Sequence, residues 1–297
     1  MTTPDSTSDV VALDPFAAQR EIADALGVAE CFDGASEATY RTMFFADELR
    51  RSGKHVLVLG ISGGVDSLVA GRLCQLATSH LRTTGYDAQF VAIRLPYGAQ
   101  RDADDAEAAL AFIAPDQTLR IDIQPAVDAT MQSLIDSGLL LGTPHEADFV
   151  AGNVRARQRM IVQYAVANVM QGLVVGTDHA AEAVMGFFTK HGDGACDIAP
   201  LSGLTKRRVR ALATHLGAPA ELVRKVPTAD LECLRPLHPD EAALGVSYDV
   251  IDDFLEGRTI DRDDAVRIVT TYQRTAHKRS LPRVPMPHDL MRSTATP

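Results

Sequence analysis

The stretch VLVLGISGGVDSLVAG, residues 56–71, runs from four apolar residues through a glycine-rich turn into a helical pattern. An apolar run of that length closing on glycine predicts a strand buried on both faces. The turn is not a Walker A loop, which needs Lys followed by Ser or Thr, nor a G-x-G-x-x-G fingerprint. Its order is Gly60, Ile61, Ser62, Gly63, Gly64, Val65, Asp66, Ser67. Backbone N–H groups entering a helix, with the hydroxyls of Ser62 and Ser67, form a cradle for phosphate. Asp66 would repel that phosphate unless a Mg²⁺ ion sat between them. The plainer reading is a tight strand-to-helix turn with Asp66 as a first-turn acid. Spacing alone leaves both open and favours the cradle.

Outward from this turn, strands and helices alternate. The periodicities predict helices over 15–26 and 35–51, a strand at 55–60, a helix at 66–80, a strand at 88–95 and a helix at 101–113. They continue with a strand at 118–123, a helix at 125–137, a long helix at 148–170, a strand at 172–176 and a helix from about 178. Such alternation implies crossover connections and an α/β fold, a doubly wound parallel sheet with helices on both faces and a helical C-terminal region. After residue 186 the period is lost. TKRRVRALATHLG then reads as a capped helix ending at Gly217, and the Pro-rich, charged segment 224–241 is a candidate lid. No linker divides the chain, so residues 15–297 are expected to form one domain behind a mobile tail at 1–14.

Composition narrows the function. The 297 residues are 46% hydrophobic with a formal net charge of −10, an acidic balance that argues against a general nucleic-acid binder. A polyanionic ligand would need local basic residues, a bound cation, or both. No apolar run approaches the roughly 18 residues of a membrane span, and the first residues lack the pattern of a signal peptide. A cytoplasmic protein is expected. The four cysteines, Cys31, Cys74, Cys196 and Cys233, lack C-x-x-C spacing and read as reduced thiols.

A second strand end repeats the first. Glu182 falls six residues after Gly176, as Asp66 falls six after Gly60. Two carboxylates at the carboxyl ends of two parallel strands suit a switch-point crevice holding a ligand and a metal. Thr177 and Asp178 could cap the next helix or touch a nucleotide; Glu182 could be a plain surface acid, and His179 reads as a packed or solvent-facing imidazole rather than a ligand. On the long helix Phe149, Asn153 and Arg157 recur every four residues and share one face, while Arg155 and Arg159 project elsewhere. Alone, that stripe is more simply a half-buried helix face than a ligand contact. Lys190, Lys206, Lys225, His277 and Lys278 fall in irregular C-terminal segments and together suit a polyanion, whereas Arg207, Arg208 and Arg210 read as solvated.

GISGGVDS resembles the pyrophosphate loop of the N-type ATP pyrophosphatases. RLPYG (94–98), FVAGNVRARQRM (149–160), GTDHAAEAVMGFFTKHGDGACDIAPL (176–201), LTKR (204–207), PTADL (227–231), DEAALGVSYDVIDDFLEG (240–257) and AHKR (276–279) are similar to the ammonia-dependent NAD⁺ synthetases, a likeness running from about 15 to 285. The resemblance implies that Gly60, Ile61, Ser62, Gly63, Gly64, Val65, Asp66 and Ser67 hold ATP, together with Arg94, Thr177, Lys206 and Thr228. It implies Asp66 and Glu182 as magnesium ligands, and Asp66, Glu182, Lys190 and Lys206 as the catalytic set. Phe149, Asn153, Arg157, Lys190, Asp197, His277 and Lys278 would contact deamido-NAD⁺. It further implies a homodimer with the dinucleotide at the subunit interface. Ala276 stands where a glutamate is usual before HKR, and Leu49 where some members carry an aromatic residue beside the nicotinate ring.

The implied chemistry follows from the inertness of a carboxylate toward ammonia. The nicotinate carboxylate attacks the α-phosphorus of ATP, pyrophosphate leaves, and ammonia displaces AMP from the acyl-adenylate. Positioning and charge stabilisation carry such a reaction, and no general base is nominated. Lids near 96–100 and 224–241 would keep water from the adenylate. Glutamine-dependent relatives carry an added amidase domain for which this chain leaves no room, so free ammonia is the expected nitrogen source. The runner-up is another ATP-pyrophosphatase amidotransferase or thiolase; a nucleotide-binding regulator without turnover would bind ATP but release no AMP.

Overall fold

The computed structural model describes residues 14–98, 103–229, 231–235 and 238–285. The expected mobile tail thus falls outside the described residues except at its last position, as do parts of the two expected lids and the start of the helix expected at 101.

Two helices, α1 (Pro15–Ala25) and α2 (Gly34–Ser52), precede the first strand, each opened by an aspartate that accepts a backbone N–H. Then β1 (Val56–Gly60), α3 (Val65–Thr83), β2 (Gln89–Arg94), α4 (Ala103–Ile113), β3 (Gln117–Arg120), α5 (Gln124–Asp136), α6 (Pro144–Met170), β4 (Gly172–Val174) and α7 (Ala180–Met185) alternate. The strands are parallel in the order β3-β2-β1-β4, so the direction of winding reverses between β1 and β4. Their register pairs Gly60 with Ile93 and Val56 with Gly172.

Alternation of side chains along the strands explains the two layers. Leu57, Leu59, Phe90 and Ala92 point into one core with α2 and α3, whereas Val56, Val58, Val91 and Ile93 point into another beneath α5 and α6. The rest of the chain is α8 (Lys206–His215), α9 (Ala220–Arg224), a short antiparallel pair β5 (Thr228–Ala229) and β6 (His238–Pro239), then α10 (Asp240–Leu244), α11 (Tyr248–Leu255), α12 (Arg262–Arg274) and α13 (Ala276–Arg279). A third core joins α11 and α12 to α7 and to Ile22 of α1.

Several boundaries differ from the expected ones, α3 for instance running on to Thr83 rather than 80, and three of them bear on the site. Helix α6 begins four residues before 148, because Thr143 and Glu146 form a reciprocal capping box and Pro144 enters the first turn. Strand β3 ends at Arg120, and Ile121 and Ile123 then donate irregularly to the carbonyls of Arg94 and Pro96. Strand β4 is shorter than 172–176, though Val175 still bridges to Ile198 in parallel.

Candidate active site

The carboxyl ends of β1 and β4 lie side by side at the switch point, and each turns through glycine into a helix whose first turn carries an acid. Gly64 opens α3 without a side-chain cap, so the first N–H groups of the helix point outward toward the turn. The Ser67 hydroxyl donates to the Gly64 carbonyl at 3.1 Å and accepts from the Ser62 amide at 3.3 Å, closing the loop on itself. Only glycine suits position 63, where φ is +86° and a Cβ would stand 2.9 Å from the Ala106 nitrogen.

Four ionisable side chains converge on this crevice. Lys206, the first residue of α8, is 1% exposed and its Nζ donates to both Asp66 oxygens at 2.9 and 2.7 Å. His179, the N-cap of α7, accepts the Glu182 amide at Nδ1 (3.4 Å) and places Nε2 3.5 Å from Asp66 Oδ1 and 3.4 Å from Glu182 Oε2. With Nδ1 accepting, the neutral ring carries its proton on Nε2, which faces the two carboxylates and lies 3.3 Å from Lys206 Nζ. His179 therefore orients the acids, which leaves Asp66 and Glu182 to supply hard oxygen ligands.

The charges are unbalanced in an informative way. Burial and the neighbouring Asp66 raise the Glu182 carboxyl well above its ordinary value, while burial pushes the neighbouring Asp178 up to about 8. Burial drives His179 down to about 3, and Lys206 opposes its protonation further. Burial also disfavours the Asp66 charge, yet Lys206 and the other contacts hold that carboxyl below its ordinary range. Carboxylates that repel one another in a deep crevice are relieved by a divalent cation. Carboxylate oxygens of Asp66 and Glu182 lie within 4.8 Å of one another, close enough to share one. The acids keep 19% and 16% of their side chains exposed, because they face an open cavity of about 440 Å³.

That cavity runs from the glycine turn to α6. On one wall stand Thr177, Glu182 and Thr189, on the other Phe149, Asn153 and Gln163, with Lys278 and Thr228 at its margins. Asn153 is held by a 3.0 Å bond to the Phe149 carbonyl and accepts the Thr189 hydroxyl at 3.1 Å. Lys278 donates to the carbonyls of Gly186 and Phe188 at 2.9 and 2.8 Å. Of the residues assigned from the resemblance, Gly60, Ile61, Ser62, Gly64, Val65, Asp66, Ser67, Thr177, Glu182, Lys206, Thr228, Phe149, Asn153 and Lys278 line it.

The others are not among its lining residues. Gly63 turns toward α4, and Arg94 is 5% exposed with Nη1 2.7 Å from Glu107. Arg157 donates to the Lys190 carbonyl at 3.3 Å, and Lys190 Nζ donates to the His277 carbonyl, so these three gather at a separate rim. Asp197 accepts the Val174 amide at 2.8 Å at the end of the sheet. Leu49 is fully buried among α2 and α3, so it is a core residue of this chain and is not among the residues that line this cavity.

One expectation is overturned by tertiary packing. Lys206 opens the helix expected from TKRRVRALATHLG, but Arg207 and Arg208 are not solvated and meet the acidic face of α11, with Arg207 2.9 Å from Asp253 and Arg208 3.3 Å from Glu256. Asp252 of the same helix accepts the amides of Lys206 and Arg207 and so seats the helix start that presents Lys206. The roles of His179 and Asp252 were missed; the i+3 spacing of His179 and Glu182 was the only local signal.

A sequence model described as NAD synthase matches residues 37–282. The chain belongs to the NAD synthase family. Among its relatives, the NH(3)-dependent NAD(+) synthetase of Streptomyces coelicolor is 59% identical over 270 residues, covering 91% of this chain and 98% of that protein. The crystal structure of NAD⁺ synthetase from Burkholderia pseudomallei is 54% identical with a TM-score of 0.79, covering 95% and 100% of the two chains. NMN synthetase from Francisella tularensis is 34% identical with a TM-score of 0.74, covering 86% of this chain and 99% of that one. NAD synthase family membership gives the parallel sheet and the helical region after it their natural counterparts.

Proposed function

We infer that the chain catalyses the ATP-dependent amidation of deamido-NAD⁺ with ammonia, forming NAD⁺, AMP and pyrophosphate. The observation that carries this reading is the single cavity joining an uncapped helix start and two acids to an aromatic-amide wall on α6. That arrangement suits a triphosphate at one end and a ring-bearing substrate at the other.

In this reading the turn 60–67 binds the ATP phosphates through its amides and hydroxyls, while Thr177 and Thr228 contact the nucleotide and Arg94 stiffens the adjoining wall through Glu107. Asp66 and Glu182 fit Mg²⁺ by donor chemistry, and such an ion would offset the charge of the departing pyrophosphate. Lys206 then serves as a second cation at the same oxygens. Phe149 and Asn153 orient the nicotinate end, and Lys278 holds the opposite wall. The rim of Arg157, Lys190 and His277 suits the distal part of a dinucleotide, and Asp197 at the sheet end is assigned to the same substrate.

A homodimer completes the proposal. The ridge begun by Phe149, Asn153 and Arg157 continues at the same spacing through Ile161, Ala165 and Val169. Ile161 is 51% and Val169 86% exposed, and Leu140 beside α5 is 93% exposed, which supports a second copy against α5 and α6. We further read the chain as one synthetase domain from residue 15 and as cytoplasmic; among the described residues no helix is long and apolar enough to cross a membrane, and all four cysteines are unpaired.

The test is product analysis with Mg²⁺-ATP and deamido-NAD⁺, supplied with ammonium or with glutamine. Equal amounts of NAD⁺ and AMP with ammonium, and traces with glutamine, are expected. Nicotinate mononucleotide in place of the dinucleotide should give little turnover; preferential amidation of it would move the substrate assignment toward the mononucleotide. ATP binding with no AMP release would leave only a binding protein.

A further inference from the structure

Two loops wall the cavity from above α6, 95–98 through Leu95 and 231–235 through Leu231. They come from distant parts of the chain, yet both rest on one side chain. We propose that Arg155 is a positioning residue that couples these loops, so that they open and close together. The proposal rests on the amidation reading above for its consequence, though not for its geometry.

Arg155 is 5% exposed. Its guanidinium carbon lies 4.3 Å from the centroid of the Tyr97 ring, and its Nη1 donates to the Leu231 carbonyl. A planar guanidinium can present its face to a ring while donating in its plane, which a lysine ammonium cannot reproduce. Asp148, one side of the same helix and 9% exposed, stands 3.6 Å from Arg155 and accepts the amides of Cys233 and Leu234 at 3.0 and 2.7 Å. Gly152 lies between them, where a Cβ would come within 3.0 Å of the Leu231 oxygen, so the loop backbone rests directly on the helix. On the other side Tyr97 reaches Asp128 of α5 at 2.5 Å, which fixes its ring over Arg155.

A buried cation that loses one partner is left undercompensated and tends to leave its site, which withdraws it from its other partners too. Lifting 231–235 removes the Leu231 carbonyl from Arg155 and the two loop amides from Asp148, and lifting 95–98 removes the ring, so each loop is held most firmly when the other is down. For an acyl-adenylate the consequence is chemical. Water attacking the acyl carbon would return the carboxylate and release AMP without amide, and two loops that close as a unit shorten the time in which only one excludes water.

Hydrogen exchange on the full-length protein reads the coupling without turnover. Tyr97→Leu removes only the ring from one loop, and the amides of Cys233 and Leu234 in the other should then exchange at least about fivefold faster. Unchanged exchange there overturns the proposal. Should that variant fold poorly, Asp148→Asn runs the test in reverse, with faster exchange at Gly98 expected and an effect confined to 231–235 overturning it. In turnover, Arg155→Lys should release AMP in excess of NAD⁺, which a merely structural weakening with proportional loss of both products would not do. A wild-type protein forming no NAD⁺ would remove the amidation reading and leave the exchange result standing.

Discussion

Asp66, His179, Glu182 and Lys206 come from three helices that meet only in the folded chain, and none keeps more than 19% of its side chain exposed. Phe149, Asn153 and Arg157 come from one helix, and Phe149 is 62% exposed. The first group is held in place before any ligand arrives, with each charge facing another. The second is a row on an open surface, ready for contacts that this chain alone does not make. A cavity built this way divides its labour: charge is organised in advance at one end, and shape is completed on binding at the other.

The comparison breaks first if the carboxylates are dispensable. Asp66→Asn and Glu182→Gln should each lower AMP formation on the order of a thousandfold. Burial and Asp66 disfavour the Glu182 charge, so Glu182→Gln should leave the thermal midpoint at or above that of the parent, whereas Asp66→Asn leaves the buried Lys206 without its carboxylate and should lower it. Near-normal AMP release in either variant would remove the two-carboxylate cation site.

Preorganisation of the glycine turn is the next target. Gly63→Ala forces a side chain onto φ +86° and against the α4 backbone. Destabilisation of about 1–3 kcal/mol is expected in urea unfolding, because backbone cannot step aside as a side chain can. A neutral effect would mean that the turn relaxes freely and is not preformed.

Phe149→Ala probes the open end. With the ring exposed, stability should change by less than about 0.5 kcal/mol, while KM for the dinucleotide rises up to about tenfold for loss of stacking and kcat changes little. A comparable loss in stability would instead assign Phe149 to the fold.

How these regions could be read from sequence follows from how they are built. The turn at 60–67 and the row at 149, 153 and 157 are local patterns, and local spacing reveals them. Arg207 and Arg208 looked solvated because their partners Asp253 and Glu256 lie some 46 to 49 residues away on another helix. Spacing within α8 carries no record of that face. The early start of α6 was missed because Thr-Pro-His-Glu is a polar loop composition until the reciprocal bonds of a capping box are formed. Asp148 and Arg155 were invisible for the same reason, since their partners are backbone groups that any sequence supplies.

A pH-dependent effect concerns His179, whose ring links the two acids. Its Nδ1 accepts an amide and burial holds its pKa near 3, so the folded chain keeps it neutral across the physiological range. Once unfolded, the imidazole takes up a proton near pH 6.5. Between that value and about 3 the unfolded chain binds the extra proton, so this group's contribution to stability is complete above pH 6.5 and is lost as the pH falls, by up to about 1.4 kcal/mol per unit. Glu182 and Asp178 have raised values and act in the opposite sense, so the total curve would hide the effect. The difference between the parent and His179→Gln isolates it. That gap should be flat above pH 7 and should shrink from pH 6.5 to 4. A gap that instead widened on acidification would mean the ring is charged between Asp66 and Glu182, and the acids would then be paired by His179 rather than left to bind a cation.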